Sequence, residues 1–408
     1  MKRKIKSEDL QLGMYVEELD RPWLETPFLF QGFSVERRED LETLRELCEY
    51  VYIDDEKIFA PGESGSQPTQ GAVNISPEEE EDDSAEALIV VEEAFQQAQV
   101  VHTTAKTAFT SLSKQIRLGT VVDVDTVEEA LAEMVESIMR NPEALMLLSK
   151  LEQHRDDAAA HAINCSILAL NYGSYIGLEG ERLHELGMAA LFHDVGETAV
   201  PLKVLKHGGR KTEEEVALFR RHTELGKAML SKMKGIPPCA IDVAYSHHER
   251  VDGKGYPKGI KGDQLSTYSK IVSIVDVYEW VTSGAAGGNA LTASEASRYI
   301  YRQRDEMFDG DTCEKFIQCL GVYPIGSLVE IARGDVGIVL SIPTGDHLHP
   351  RLMLILNDKK QPYHPPRLIN LSQFSQNGNS ADYAVVKVLP GNAYGINMRE
   401  YLHRELSL

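Results

Sequence analysis

The sequence predicts a mainly α-helical chain with a small α/β unit at its start and a β-rich subdomain at its end. Three observations carry this. From residue 84 to about residue 310, apolar side chains recur at helical spacing. Residues 1–60 mix short apolar runs with turn-forming Pro and Gly. Beyond residue 326, apolar residues alternate and break at Arg333-Gly334-Asp335, a hairpin signal. The length of 408 residues suggests two or three domains, and an apolar content of 42% is enough for real cores.

In residues 1–60, Leu10, Met14, Val16 and the PWLETPFLFQGF segment read as short strands. Leu41, Leu44 and Leu47 share a helix face, and Tyr50 to Ile53 reads as a strand. Residues 61–83 are rich in Pro, Gly and Ser and end in an acidic run, so they form an acidic linker. Residues 84–150 hold lead-in helices that either cover the following domain or dimerise. The first runs to about Ile116. The second has Asp125 and Glu128 as a capping box and one apolar stripe (Val127, Leu131, Met134, Ile138). Asn141-Pro142 restarts a third. Residues 151–325 form the central helical region, and 326–408 the β-rich end, with strands over 351–356 and 383–389. No internal repeat is visible.

With 42 Lys and Arg against 63 Asp and Glu, the formal charge is −21, which argues against a DNA or RNA binder. An anionic ligand must then be held by metals or by a local basic patch. No window approaches the roughly 18 uninterrupted apolar residues of a membrane span. The start, MKRKIKSEDLQLG, lacks the apolar core of a secretory signal. Cys48, Cys165, Cys239, Cys313 and Cys319 are scattered without a CxxC spacing and read as reduced buried thiols.

The chemistry concentrates between Met188 and Tyr278. His193, Asp194, His222, His247, His248 and Asp276 sit in or beside apolar helical runs, with His161 one helix upstream. Asp157 precedes His161 by four residues and shares its helix face. Ile271 to Val277 is β-branched and strand-like, but its length and the following Tyr278-Glu279-Trp280 favour a helix. An unpaired carboxylate in such a run costs several kcal/mol or takes up a proton, so Asp276 wants a cation. Imidazoles with carboxylates and no thiolate suit Fe or Mn, and also Zn, Ni or Co. Asp194 can bridge two ions. A pair about 3.5–4 Å apart would bind a bridging hydroxide and polarise a phosphodiester. A lone His on an apolar face is usually a core or surface residue. His102, His154, His184, His207, His347, His349, His364 and His403 are read so.

His193-Asp194-Val195-Gly196, His222-Thr223-Glu224, and the run from His247-His248-Glu249 to Gly255-Tyr256-Pro257 make residues 155–310 resemble the HD-GYP family of phosphohydrolases. The N-terminal segment with GMYV and PFLFQGF looks like a domain often found before such modules. The resemblance implies a helical, HD-type metal-dependent phosphodiesterase that opens cyclic di-GMP to pGpG or on to GMP. It implies a bacterial cytoplasmic signalling protein, with a homodimer and signalling partners open. By position, His161, His193, Asp194, His222, His247, His248 and Asp276 would hold two divalent ions, with Asp157 at the place of a third ion's ligand. Asp194 and His193 would be catalytic, and Asp252, Gly253, Lys254, Gly255, Tyr256 and Pro257 would form the substrate loop. Two positions depart from the pattern. Glu197 replaces a Lys and would repel phosphate, and Ser283 to Asn289 lacks the usual arginines. Lys203, Lys206, Arg210, Lys254 and Lys258 are the cations that could substitute. Two other functions remain open on these residues: a non-catalytic receptor for the dinucleotide or a protein partner, and a di-iron oxygenase.

Overall fold

The computed structural model describes residues 2–20, 32–35, 38–54, 81–120, 123–152, 157–205, 211–284, 290–343, 348–375 and 380–405. The chain divides into two compact units, Met1–Glu79 and Glu80–Leu408.

The first unit holds β1 (Lys2–Lys6), β2 (Tyr15–Leu19), β3 (Phe33–Ser34), α1 (Arg38–Leu47) and β4 (Tyr50–Asp54). Its antiparallel sheet has the order β1-β4-β2-β3. Leu41 and Leu44 of α1 pack on Val16, Val51 and Ile53, as their spacing predicts. The charged residues 2–6, for which the sequence reading expected no strand of their own, pair with β4 as an edge strand. An edge strand tolerates such charge because one side is free of pairing. The strand expectations for residues 21–31 and most of the 61–83 linker lie outside the described residues.

In the second unit, α2 (Glu81–Leu118), α3 (Asp125–Arg140) and α4 (Pro142–Leu151) pack against α5 (Ala158–Tyr175) and α6 (Gly180–Phe192). Of the two fates expected for the lead-in helices, they thus cover the domain that follows. Phe109 of α2 meets Phe192 of α6 edge to face at 5.8 Å. Asn141 caps α4 through Ala144 N. The capping box expected at Asp125 and Glu128 does not form. Val124 is the N-cap residue, without a side-chain cap, and Asp123 instead accepts from the amide and hydroxyl of Thr126. A carboxylate must stand outside the first turn to reach its free amides, and Asp125 is already helical.

A 3-10 turn (Val195–Ala199) leads through α7 (Leu202–Leu205) to α8 (Glu213–Arg220), α9 (His222–Leu230) and α10 (Pro238–Ser246). The box of Thr212 with Glu215 starts α8 as expected. The β-branched run 271–277 is helical, inside α11 (Thr267–Thr282), and α12 (Ala293–Arg302) and α13 (Gly310–Leu320) follow.

The C-terminal sheet is antiparallel, in the order β8-β7-β6-β5-β9. It comprises β5 (Leu328–Ile331), β6 (Val336–Ser341), β7 (Arg351–Leu356), β8 (Pro362–Asn370) and β9 (Val385–Leu389), with short helices α14 (Leu371–Ser375), α15 (Ser380–Tyr383) and α16 (Met398–Glu405). The hairpin at Arg333-Gly334-Asp335 forms. The sequence reading missed β8 because its prolines argue against a strand. They fit only because β8 lies at the sheet edge.

One close approach ties this fold to the chemistry. A Cβ at Gly196 would lie 1.9 Å from the carbonyl oxygen of His222 and 2.5 Å from the amide of Gly226. Both are backbone atoms and cannot swing away. Gly196→Ala should therefore cost at least about 3 kcal/mol, or separate the 3-10 turn from α9. Chemical denaturation checks this, and an unchanged midpoint would show the turn to be loosely packed.

Candidate metal centre

His193, His222 and His247 each follow the last turn of a helix: α6, α8 and α10. The last carbonyls of a helix have no partner within it. Each histidine donates its Nδ1–H to one of them: His193 to Ala190 O at 2.7 Å, His222 to Phe219 O at 2.8 Å, His247 to Val243 O at 3.0 Å. These bonds assign the tautomer. All three Nε2 atoms are left with bare lone pairs turned inward. His161, from α5, reaches the same result by placing Nδ1 2.5 Å from Glu279 Oε2 of α11.

The bare nitrogens converge in pairs. His161 and His193 Nε2 are 3.3 Å apart, and those of His222 and His247 are 3.4 Å apart. Two lone pairs at that distance repel unless a cation or a proton lies between them. Two donors each about 2.1 Å from one ion lie about 3.0–3.4 Å apart, so the spacing fits a shared metal. Asp194 stands between the pairs. Its Oδ1 is 3.3 Å from His222 Nε2 and 3.2 Å from His247 Nε2, while its Oδ2 is 3.4 Å from His193 Nε2. Oδ1 is buried and has no hydrogen-bond partner. Asp276 adds Oδ1 at 3.3 Å from His161 Nε2. The possible ligand atoms fall into two groups: His161, Cys165, His193 and Asp276, and Asp194, His222, His247 and His248. The residues present fit a pair of divalent cations.

The electrostatics of the metal-free site are those of a place built for positive charge. Burial lowers the His161 and His193 imidazoles, but Cys165 and Glu279 raise the first and Asp194 the second well above the usual value, so a proton takes the place of an ion. Burial pushes the Asp194 carboxyl up, but His193 and its fellow imidazoles hold it well below the carboxylate range. Burial and His247 push His248 well below the usual imidazole value, so it stays neutral and available as a ligand. Glu197 lies beside Asp194, and burial together with that neighbour pushes its carboxyl up to about 8. Free of metal, Glu197 is therefore mostly protonated at neutral pH.

Asp157 joins neither group. It is the N-cap of α5, accepting from Ala159 and Ala160 amides at 3.1 Å, and it pairs with Lys106 at 2.8 Å. The segment expected to contact substrate is shaped largely by its own bonds. Asp252 takes a two-point bond from Arg250 (3.1 and 2.8 Å) and the amide of Lys254. Buried Glu249 accepts from the amides of Lys258, Gly259 and Ile260. A Cβ at Gly255 would lie 2.4 Å from the Arg250 amide, so the loop needs glycine there. Gly253, at φ +76°, turns the chain, and Tyr256-Pro257 is a cis bond. The ring of Tyr256 alone turns back onto the centre, 4.7 Å from that of His248.

The sequence reading missed several contributors. Glu279 is 2% exposed, and Asn164 also donates to it at 3.3 Å. Their signal was position: Asn164 follows His161 by three residues and Glu279 follows Asp276 by three, one helical turn each. Cys165, read as an inert thiol, lies 3.7 Å from His161 Nε2. Among cations, Lys254 is exposed and pairs with Asp252, Lys258 sits by Tyr245, and Lys206 and Arg210 lie outside the described residues. Arg220, two residues before His222, lies 4.8 Å over the Tyr256 ring and lines a cavity of about 400 Å³ with Lys211, Glu213, Val216 and Ala217.

The family model described as HD domain matches residues 129–312, and one described as a domain of unknown function matches residues 2–127. The chain is 30% identical over 379 residues to a cyclic di-GMP phosphodiesterase of Pseudomonas aeruginosa, covering 92% of this chain and 90% of that one. It is 34% identical over 185 residues to the cyclic di-GMP phosphodiesterase response regulator RpfG of Xanthomonas campestris, covering 45% of this chain and 49% of that one. A cyclic di-GMP phosphodiesterase of Thermotoga maritima is 28% identical over 195 residues, covering 47% and 52%. The chain spans about half the length of these last two.

Two measurements test the surroundings of the centre. Removing the charge that orients His161, by Glu279→Gln, should weaken metal binding by about 10–100-fold, with Glu279→Asp recovering part of it. Competition against a chelator reads this, and unchanged affinity would reduce Glu279 to packing. The second concerns pH. The Glu197 carboxyl titrates near 8 when folded, against an ordinary 4.5, so the folded state holds the proton more tightly. Its stabilising contribution is full below about 4.5 and lost as pH rises through about 8. Metal-free Glu197→Gln should lose less stability than the parent over that interval, as read by thermal unfolding. Parallel curves would mean that the carboxyl is ionised throughout.

Proposed function

The chain belongs to the HD-GYP family of cyclic di-GMP phosphodiesterases, and from that premise we propose that it opens cyclic di-GMP to pGpG and carries the product on to GMP. One observation supports this reading above the others: four imidazoles with Nε2 atoms turned inward flank both oxygens of a single, partly buried carboxylate. No packing or hydrogen-bonding role needs that arrangement, whereas a pair of ions for phosphodiester hydrolysis does.

His161, His193 and Asp276 would hold one ion, and His222, His247 and His248 the other, with Asp194 shared. Bound there, two divalent ions supply Lewis acidity and an activated water. The imidazole and carboxylate donors suit Fe or Mn best, with Zn, Ni and Co as further occupants. The protein does the rest. The carbonyl-anchored histidines keep their lone pairs aimed at the centre, so little reorganisation is needed. Tyr256, tilted against His248, offers a face for a base, and Arg220 above it offers positive charge to a phosphate.

Purified full-length protein loaded with Fe or Mn should release pGpG and GMP from cyclic di-GMP. Asp194→Ala should lose metal and turnover together, by more than about 10³-fold in rate, because the shared carboxylate serves both ions. Chromatography of the products and elemental analysis read the two effects. Dinucleotide binding without any product, across all five metals, would favour the non-catalytic receptor.

A further inference from the structure

His161 is the one imidazole of the four whose Nδ1 rests on a side chain rather than on a helix carbonyl, so its aim depends on what holds Glu279. Asn164 does so in part, donating its Nδ2 to Glu279 Oε1 at 3.3 Å. A carboxylate only accepts, so the amide nitrogen of Asn164 must face Glu279 and its carbonyl oxygen must face away. That oxygen, Oδ1, is buried and has no hydrogen-bond partner among the described residues. A second buried orphan lies beside it. His102 of α2 is 3% exposed, and its Nε2 has no partner either. The two side chains are neighbours, near enough for Asn164 to raise the proton affinity of the ring. Burial outweighs that and lowers the imidazole below its ordinary value, so the ring is neutral, with a single N–H to place. A buried acceptor without a donor and a buried ring nitrogen without a partner answer each other, and leaving both unmet is the costly alternative. One turn further along α2, Lys106 pairs with Asp157, the N-cap of α5, at 2.8 Å. Helix α2 thus meets α5 at two successive turns, one of them on Asn164.

We propose that His102 is a positioning residue for the metal centre: its Nε2–H donates to Asn164 Oδ1, which fixes the amide that holds Glu279 and thereby the aim of His161. This rests on reading the His161 cluster as a metal site. A turn of the ring or of the amide closes the bond. Donation to Oδ1 also strengthens the bond that Asn164 Nδ2 makes to Glu279, because linked hydrogen bonds polarise one another. His102 itself touches neither ion nor substrate. The other half of the centre has no need of such a relay, since helix carbonyls hold His222 and His247. The effect of His102 therefore falls on one ion of the two.

Mn²⁺ titration of metal-free full-length protein, with free Mn²⁺ read by electron paramagnetic resonance, tests this without measuring turnover. His102→Leu should weaken one of two Mn²⁺ sites by about tenfold and leave the other unchanged. His102→Gln, whose amide can donate to the same oxygen, should stay close to the parent. In an Asn164→Ala background, where that oxygen is gone, His102→Leu should bring no further loss. Unchanged Mn²⁺ affinity in His102→Leu would overturn the proposal. So would equal weakening by Leu and Gln, or an equal loss from His102→Leu in both backgrounds, since either means packing alone. Circular dichroism checks the fold of each variant. Long-range proton–nitrogen NMR of the metal-free parent should find the His102 proton on Nε2. A proton on Nδ1 instead refutes the bond by itself, so the parent decides even where a variant does not fold. A parent that binds no Mn²⁺ would overturn the metal centre and this relay with it, which keeps that failure apart from a failure of His102 alone.

Discussion

Imidazole lone pairs cannot face one another in a buried space without a positive charge between them. The HD domain is arranged around that constraint. Helices α6, α8 and α10 each end where a histidine can turn its Nδ1–H back onto a terminal carbonyl. The same bond does two jobs. It gives a helix-end carbonyl a partner, one shared with a backbone amide at Phe219 and Val243, and it fixes which nitrogen points inward. His161 has no such carbonyl, since it lies within α5, and uses the Glu279 carboxylate instead. Its orientation thus depends on α11, the helix that also carries Asp276, so two elements far apart in sequence must pack correctly before the first half of the centre exists.

The Gly-Tyr-Pro segment looks, by its composition, like a ligand-binding loop. Most of its named residues instead build the loop itself. Glu249 gathers successive amides, Arg250 clamps Asp252, and Gly255 lets the backbone pass close to Arg250. The result is a rigid platform that holds one ring, that of Tyr256, against His248. Asp252 and Gly255 are thereby occupied within the loop. This division of labour suits a site in which positioning carries most of the chemistry.

Charge is handled locally. The chain is strongly acidic overall, yet the centre must accept a polyanion. In the metal-free centre burial and His247 keep His248 neutral, and Arg220 stands above the Tyr256 ring. Without metal, the Glu197 carboxyl is pushed up to about 8 by its surroundings. Burial and the adjacent Asp194 are the cause, and neither is visible in a residue name.

Much of this protein could be read from the sequence alone. The helical periodicity of 84–310, the Thr212 box, the hairpin at 333–335 and the His and Asp set were all legible, because they depend on local spacing or on residue types rarely found together in apolar runs. The proline-bearing β8, the cap at Asp123 and the charged β1 were not, because an edge position or a cap is defined by what lies beside it. In the centre, sequence supplied the donors, and their chemistry alone called for cations. Only the tertiary structure decided how the donors divide, which oxygen of Asp194 faces which pair, that Glu279 backs His161, and that Asp157 caps a helix. Those outcomes turn on distances of a few ångström between separate helices, and such distances are fixed by packing, which residue spacing along one chain does not encode.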